Sequence, residues 1–254
     1  MQEKVIIIND LKIRYYASDT LEKAGVLVYL HGWKSEALHF RGVLENYPNF
    51  VAIDLPGFGG SERPKTSWAL ADYANFLKSF LEKLEIKNPL LAGHSFGGSV
   101  IAKYAAKGFE AKKLILIDSA GIRKRGVKIL AYKLGAKIIK LILSVPGLNM
   151  FREKLRKKFY KLIDSEDYIE AGAMLEIYRK TISEDLSADL QKIQQETILI
   201  WGKDDSATPL WQAEQMHKLL KNSKLSVIEN AGHFSFIDRP EKFKKIFFEE
   251  INAN

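Results

Sequence analysis

The chain has 254 residues, 46% of them hydrophobic and 28% charged. That is ordinary for a globular protein and suits one α/β domain with room for an inserted subdomain. There is no cysteine, which excludes disulfides, thiolate catalysis and cysteine–metal sites. The net charge of +8 is unevenly spread. Thirteen Lys and Arg lie between Gly121 and Ile163 against the single acid Glu153, so the rest of the chain is net acidic. Basicity confined to one segment argues for a local role and against a nucleic-acid partner.

In chain order, Val5–Ile8 and Leu11–Tyr16 flank Asn9-Asp10 and predict a hairpin. Val5–Ile8 is too short for a signal peptide, and no apolar run reaches membrane-spanning length, so a cytoplasmic location is expected. Gly25–Leu30 and Phe50–Asp54 are continuous apolar runs that predict strands buried on both faces. A short helix is expected near Leu38–Leu44. Apolar residues at Leu70, Tyr73, Ala74, Leu77, Leu81 and Leu84 recur at helical spacing. Pro89–Ala92 predicts a strand, and Ser99–Ala106 a helix. Lys113–Asp118 and Thr197–Trp201 predict two more strands. A helix over Pro209–Leu220, a strand over Leu225–Ile228 and a helix over Pro240–Ile251 complete the chain. Strands alternating with helices predict parallel pairing with right-handed crossovers. The expected fold is therefore α/β: a doubly wound, mostly parallel eight-stranded sheet. Residues 119–193 break this rhythm with helical patterns over Val127–Ser144, around Phe151–Leu162 and over Tyr168–Ile182. They predict an all-helical insertion, with a core domain of residues 1–118 and 194–254.

Between the strand Pro89–Ala92 and the helix after it lies Gly93-His94-Ser95-Phe96-Gly97-Gly98. A serine exposed on a sharp strand-to-helix turn needs neighbours almost free of side chains two residues before and two after it. Gly93 and Gly97 meet that need, which makes Ser95 the candidate nucleophile. A serine hydroxyl is too weakly acidic to attack alone and requires a base. His233, in a Gly-containing loop after the last strand, is the candidate. His31 and His94 are expected to brace turns, and His39 and His217 fall on predicted helices. No pair has metal-ligand spacing, and no dinucleotide fingerprint occurs, so neither metal nor cofactor is expected.

Several motifs fall in order at the carboxyl ends of predicted strands: His31-Gly32, Asp54-Leu-Pro-Gly-Phe-Gly-Gly-Ser61, Gly93–Gly98, Trp201-Gly-Lys-Asp-Asp205 and Ala231-Gly-His233. This set resembles the α/β-hydrolase superfamily across the whole chain, including the order Ser, Asp, His. The resemblance implies a catalytic triad of Ser95, His233 and Asp205, the last counted from Gly202 in the family pattern. Asp118 and Asp204 are the alternatives for the acid. It also implies an oxyanion hole from the backbone N–H groups of Phe96 and Trp33, and it identifies the helical insertion as a cap. Serine at position 95 excludes the dehalogenases and epoxide hydrolases of the fold, which use aspartate there. The expected activity is hydrolysis of an acyl ester of a small or medium apolar molecule. The alternatives are hydrolysis of a carbon–carbon bond in a meta-cleavage product, or a signalling role as a ligand-binding module. The basic, amphipathic insertion raises one further expectation, association with an anionic membrane surface.

Overall fold

A computed structural model describes residues 1–123 and 172–252. The chain opens with the hairpin of β1 (Gln2–Ile8) and β2 (Leu11–Ala17). Ile8 pairs with Leu11, leaving Asn9 and Asp10 as a two-residue turn at φ 51° and 60°. Both residues tolerate this left-handed conformation, and its twist matches that of the strands. Five further strands are β3 (Leu27–Leu30), β4 (Phe50–Ile53), β5 (Leu90–His94), β6 (Lys113–Ile117) and β7 (Glu196–Gly202). With β8 (Ser223–Ile228) they form one eight-stranded sheet in the order β1-β2-β4-β3-β5-β6-β7-β8. Pairing is antiparallel from β1 to β2 and from β2 to β4, and parallel elsewhere.

The parallel register decides where chemistry can occur. Leu30 pairs with Gly93, His94 with Ile117, and Ile117 with Ile200. The carboxyl ends of β3, β5, β6 and β7 therefore finish level along one edge of the sheet, the edge at which open α/β sheets place their ligands.

The two faces of the sheet are covered by helices, as continuous apolar strands require. Alternate residues, including Leu27 and Tyr29, Phe50 and Ala52, and Ile115 and Ile117, join one buried cluster with α1 (Arg41–Leu44) and α8 (Pro240–Asn252). A short 3-10 turn, Ala37–Phe40, supplies Phe40, which stacks on Tyr29 at 4.1 Å between ring centroids. Phe40 also meets Phe236, Phe243 and Phe247 at 5.1 to 5.8 Å. An aromatic side chain fully buried this way contributes about 2–3 kcal/mol of transfer free energy. Two longer helices, α2 (Leu70–Lys83) and α3 (Phe96–Ala106), pack on each other.

Among the described residues the chain divides into two compact units, Met1–Ile122 with Glu184–Asn254, and Arg123–Ser183. The sheet unit thus includes residues that the sequence pattern assigns to the insertion. The N–H of Leu186 donates to the carbonyl of Gly121 at 2.9 Å. Lys103 on α3 bridges Glu184 and Asp189, each at 2.6 Å, and α5 (Ser187–Leu190) packs beside it. Of the second unit, a turn at Gly172–Met174 and α4 (Leu175–Ser183) are described, within the third predicted helix. The helices expected over 127–144 and 151–162, and the basic stretch they carry, lie outside the described residues. The sheet unit is completed by α6 (Trp211–Leu219) and α7 (Ser235–Asp238), a single turn that periodicity did not predict. Among the described residues, no helix is long and apolar enough to cross a membrane.

Candidate active site

Ser95 sits between the last residue of β5 and the first of α3, at φ 50° and ψ −111°. A non-glycine residue in this region is strained by roughly 1–3 kcal/mol and persists only where its surroundings impose the conformation. Here those surroundings are backbone. A Cβ on Gly93 would lie 2.6 Å from the carbonyl carbon of Gly97. A Cβ on Gly97 would overlap the carbonyl oxygen of Leu30 and lie 2.8 Å from that of His31. The Ser95 N–H donates to Ile117 at 3.0 Å, and its carbonyl accepts from Ala120 at 3.2 Å. Strand β6 thereby grips the turn from the side opposite β3.

The structure brings His233 and Asp205 to Ser95. His233 Nε2 lies 3.0 Å from Ser95 Oγ, and Nδ1 lies 2.8 Å from Asp205 Oδ2. With Nδ1–H donating to the carboxylate, Nε2 is left to accept from the hydroxyl; this tautomer follows from the network. The loops after β7 and β8 are joined by backbone contact. The Lys203 and Asp204 N–H groups donate to Ile228 and Ala231, each at 2.9 Å. A Cβ on Gly202 would meet the carbonyls of Ala231 and Gly232, so glycine alone allows the approach.

Asp205 is buried, and its oxygens are fully engaged. Oδ1 accepts from the N–H groups of Ala207 and Thr208, each at 2.8 Å, and Oδ2 accepts from the Thr208 hydroxyl at 2.6 Å. Burial raises its pKa, but the hydrogen bonds and charge of His233 and the bonds from Thr208 outweigh this and hold it below the usual carboxylate value. It therefore stays ionised while it orients His233.

The two alternative acids are placed differently. Asp204 is exposed, one residue too early to face the histidine. Asp118 is fully buried at φ 43°. Its Oδ1 accepts from the Gly202 N–H at 2.7 Å, and its Oδ2 from the Ser235 N–H and hydroxyl at 3.2 and 2.6 Å. Burial pushes its pKa up to about 7 against these bonds. Asp118 is thus a tie between β6, β7 and α7.

His31 and Asp54 brace the loops on the other side of Ser95. The His31 Nδ1–H donates to the Gly32 carbonyl at 2.7 Å, and Nε2 accepts from the Leu55 N–H at 2.9 Å. Burial pushes the His31 pKa down to about 4, which keeps the ring neutral as this pairing demands. Asp54 accepts from the N–H groups of Ala37 and Gly60 and pairs with Arg14 at 2.5 Å. Trp33 packs against Phe58 at 4.8 Å and Phe96 at 5.5 Å between ring centroids. A Cβ on Gly32 would sit 3.3 Å from that of Ser95, so the His31–Trp33 loop lies beside the hydroxyl. Phe96 follows Ser95 as the first residue of α3, where backbone N–H groups lack intrahelical acceptors. His39 and His217 are exposed and bond to Ser35 and Ser223, away from this cluster.

A cavity of about 630 Å³ opens elsewhere, lined by Ser18, Asp19, Thr20, Arg41, Glu45 and Phe50 among others. Phe50 begins β4, so this cavity lies at the amino ends of the parallel strands, opposite Ser95. Among the described residues, no three His, Asp or Glu side chains are arranged to hold a metal ion.

A family model described as the alpha/beta hydrolase family matches residues 27–246. The chain belongs to this family. It is 31% identical to the uncharacterized hydrolase YugF of Bacillus subtilis (strain 168), over 85% of each chain. It is 26% identical to the monoacylglycerol lipase ABHD6 of Homo sapiens, over 88% of this chain and 74% of the human protein. The crystal structure of a membrane phospholipase A superposes with a TM-score of 0.76 at 25% identity, covering 99% of this chain and 87% of that one.

In this alpha/beta hydrolase, three side chains make contacts at the site that the sequence did not specify: Thr208 carried no expectation, Asp118 was an alternative acid, and His94 was expected only to brace a turn. Thr208 holds Asp205, Asp118 holds Ser235, and His94 reaches across to the backbone of His233 at 2.7 Å. The first had a local signal. In Asp205-Ser-Ala-Thr208 the aspartate accepts from N–H groups two and three residues on, a turn that aspartate favours. The other two span more than a hundred residues and left no local pattern.

Proposed function

We propose that the protein is a serine hydrolase that cleaves a carboxylic ester through an acyl-enzyme, without a cofactor. The observation that carries this reading is the unbroken chain from Ser95 Oγ through His233 to Asp205, at 3.0 and 2.8 Å, with the hydroxyl on a strained turn. Ser95 Oγ attacks the ester carbonyl carbon while His233 Nε2 takes its proton. The imidazolium that forms is stabilised by Asp205. The carbonyl oxygen becomes an oxyanion, received by the backbone N–H groups of Phe96 and Trp33. The carbon–oxygen bond then breaks, and the proton on His233 passes to the departing alcohol. Water attacks the acyl-enzyme and gives a proton to His233; the bond from the acyl carbon to Ser95 Oγ then breaks, His233 returns that proton to Oγ, and the carboxylic acid leaves.

The relatives bear on the substrate class. One is named as a monoacylglycerol lipase and a structural neighbour as a membrane phospholipase A, which supports an acyl ester as the substrate class here. Trp33, Phe58 and Phe96 form an aromatic wall beside the hydroxyl, suited to the apolar part of such a substrate. An acyl ester of a small or medium apolar molecule is the substrate proposed.

The test is chemical labelling combined with turnover. A fluorophosphonate should label the wild type at Ser95, fail to label Ser95→Ala, and label His233→Ala far more slowly. Turnover of p-nitrophenyl esters across acyl lengths should fall by at least about 10⁴-fold in Ser95→Ala. Equal activity of wild type and Ser95→Ala would overturn the reading.

A further inference from the structure

His94 is a buried titratable side chain that the proposed chemistry does not use. It precedes Ser95 and ends β5, so its backbone belongs to the same rigid turn as the nucleophile. Its ring is 1% exposed and lies against three others: His233 at 4.8 Å, Phe234 at 4.9 Å and Phe236 at 5.2 Å between centroids. Nε2 lies 2.7 Å from the backbone carbonyl of His233. A carbonyl only accepts, so Nε2 carries the hydrogen and Nδ1 carries a lone pair. That Nδ1 is buried with no hydrogen-bond partner, and it faces Gly32, where an added Cβ would come within 2.8 Å of it.

We infer that His94 is a positioning residue for the reaction, a neutral donor that ties the backbone of His233 to the turn carrying Ser95. This inference rests on the serine-hydrolase reading above. His233 comes from the loop after β8, whereas Ser95 follows β5, and two strands, β6 and β7, lie between them in the sheet. Without a direct tie, every fluctuation of that loop changes the Oγ–Nε2 distance. The bond from His94 closes the gap in a single step. Asp118 holds Ser235 independently, so α7 stays anchored from its other side when the His94 bond is removed.

Two features explain why histidine suits this position. The ring is rigid, and its aromatic neighbours fix its plane, so the donor direction is set before substrate arrives. It also has no acceptor near Nδ1 that would stabilise a second proton, and burial pushes its pKa down to about 3. A charged ring in contact with His233 would oppose the imidazolium that must form during proton transfer. A neutral donor supplies the bond without that penalty.

The test compares His94→Gln with His94→Met. Both side chains fill the ring's space to a similar extent, but only glutamine keeps an N–H at about the reach of Nε2. With active sites titrated by fluorophosphonate, His94→Met should lose about 10- to 100-fold in kcat while KM stays within about twofold. His94→Gln should remain within about threefold of wild type. Amide hydrogen exchange over residues 231–238 should quicken in His94→Met and not in His94→Gln. Wild-type kcat per titrated site in His94→Met, or equal impairment of the two variants, would overturn the assignment. A wild type that neither reacts with fluorophosphonate nor turns over esters would instead sink the serine-hydrolase reading. The exchange comparison would still decide the tie.

Discussion

The turn around Ser95 and the segment around His233 meet in one hydrogen bond of 3.0 Å, yet they are built in opposite ways. The Ser95 turn is held by excluded volume. Gly93 and Gly97 approach each other and the carbonyls of β3 so closely that one added methyl would collide with backbone. The His233 segment is held by long-range hydrogen bonds: Asp205 on its ring, His94 on its carbonyl and Asp118 on Ser235. Steric fixation is all-or-none, because backbone cannot be displaced cheaply. Fixation by hydrogen bonds is graded, because each bond contributes about 1 kcal/mol and the others persist when one is lost. The lesson is that substitutions of the turn's glycines act first on folding, whereas substitutions around His233 act first on catalysis.

Each side of that contrast can be broken. Among the bonds around His233, the largest effect is expected at Asp205. Asp205→Asn leaves the shape intact but removes the charge that orients His233, so kcat should fall by about 10³- to 10⁴-fold with little change in the unfolding temperature. Ester turnover with parallel thermal unfolding checks this, and a fall confined to stability would refute it. Gly97→Ala should do the reverse. With its Cβ against the carbonyls of Leu30 and His31, the fold should lose about 3 kcal/mol or more, measured by urea unfolding. A variant unfolding at the wild-type midpoint would mean that the turn is not sterically locked.

A smaller effect follows from the strain at Ser95. Glycine relieves a φ of 50° but costs up to about 1 kcal/mol through the freer unfolded chain. The strain is the larger of the two, so Ser95→Gly should be inactive yet more stable by about 1 kcal/mol.

The last effect is a pH dependence. The Asp118 carboxyl has an ordinary value of 3.8 and rises to about 7 in the fold. A raised acid favours the fold in its protonated form. Its contribution is therefore complete below about pH 4 and is lost as pH rises toward about 7. Wild-type unfolding temperature should drop across that interval, and Asp118→Asn should flatten the drop. A variant with the wild-type slope would assign the effect to other groups.

Much of the fold was legible because its signals are local. Continuous apolar runs marked β3, β4 and β6, Asn9-Asp10 marked the hairpin, and helical spacing marked α2 within two residues of its ends. The short turn α7 was missed because four residues carry no period. Ser95 and His233 stood out as candidates because a Gly-flanked strand-to-helix turn and a glycine-containing loop are local signals, whereas Asp205 was preferred over Asp118 and Asp204 only through the resemblance to the family pattern. The sequence by itself thus determined the elements, their parallel order and the residue types available for chemistry, since these depend on neighbours in the chain. Only the tertiary structure decided that Asp205 meets His233 while Asp204 faces solvent and Asp118 ties Ser235, and that His94 reaches the carbonyl of His233. Those outcomes depend on which loops the sheet register brings level, and register is a property of paired strands, set by contacts between residues far apart in the chain.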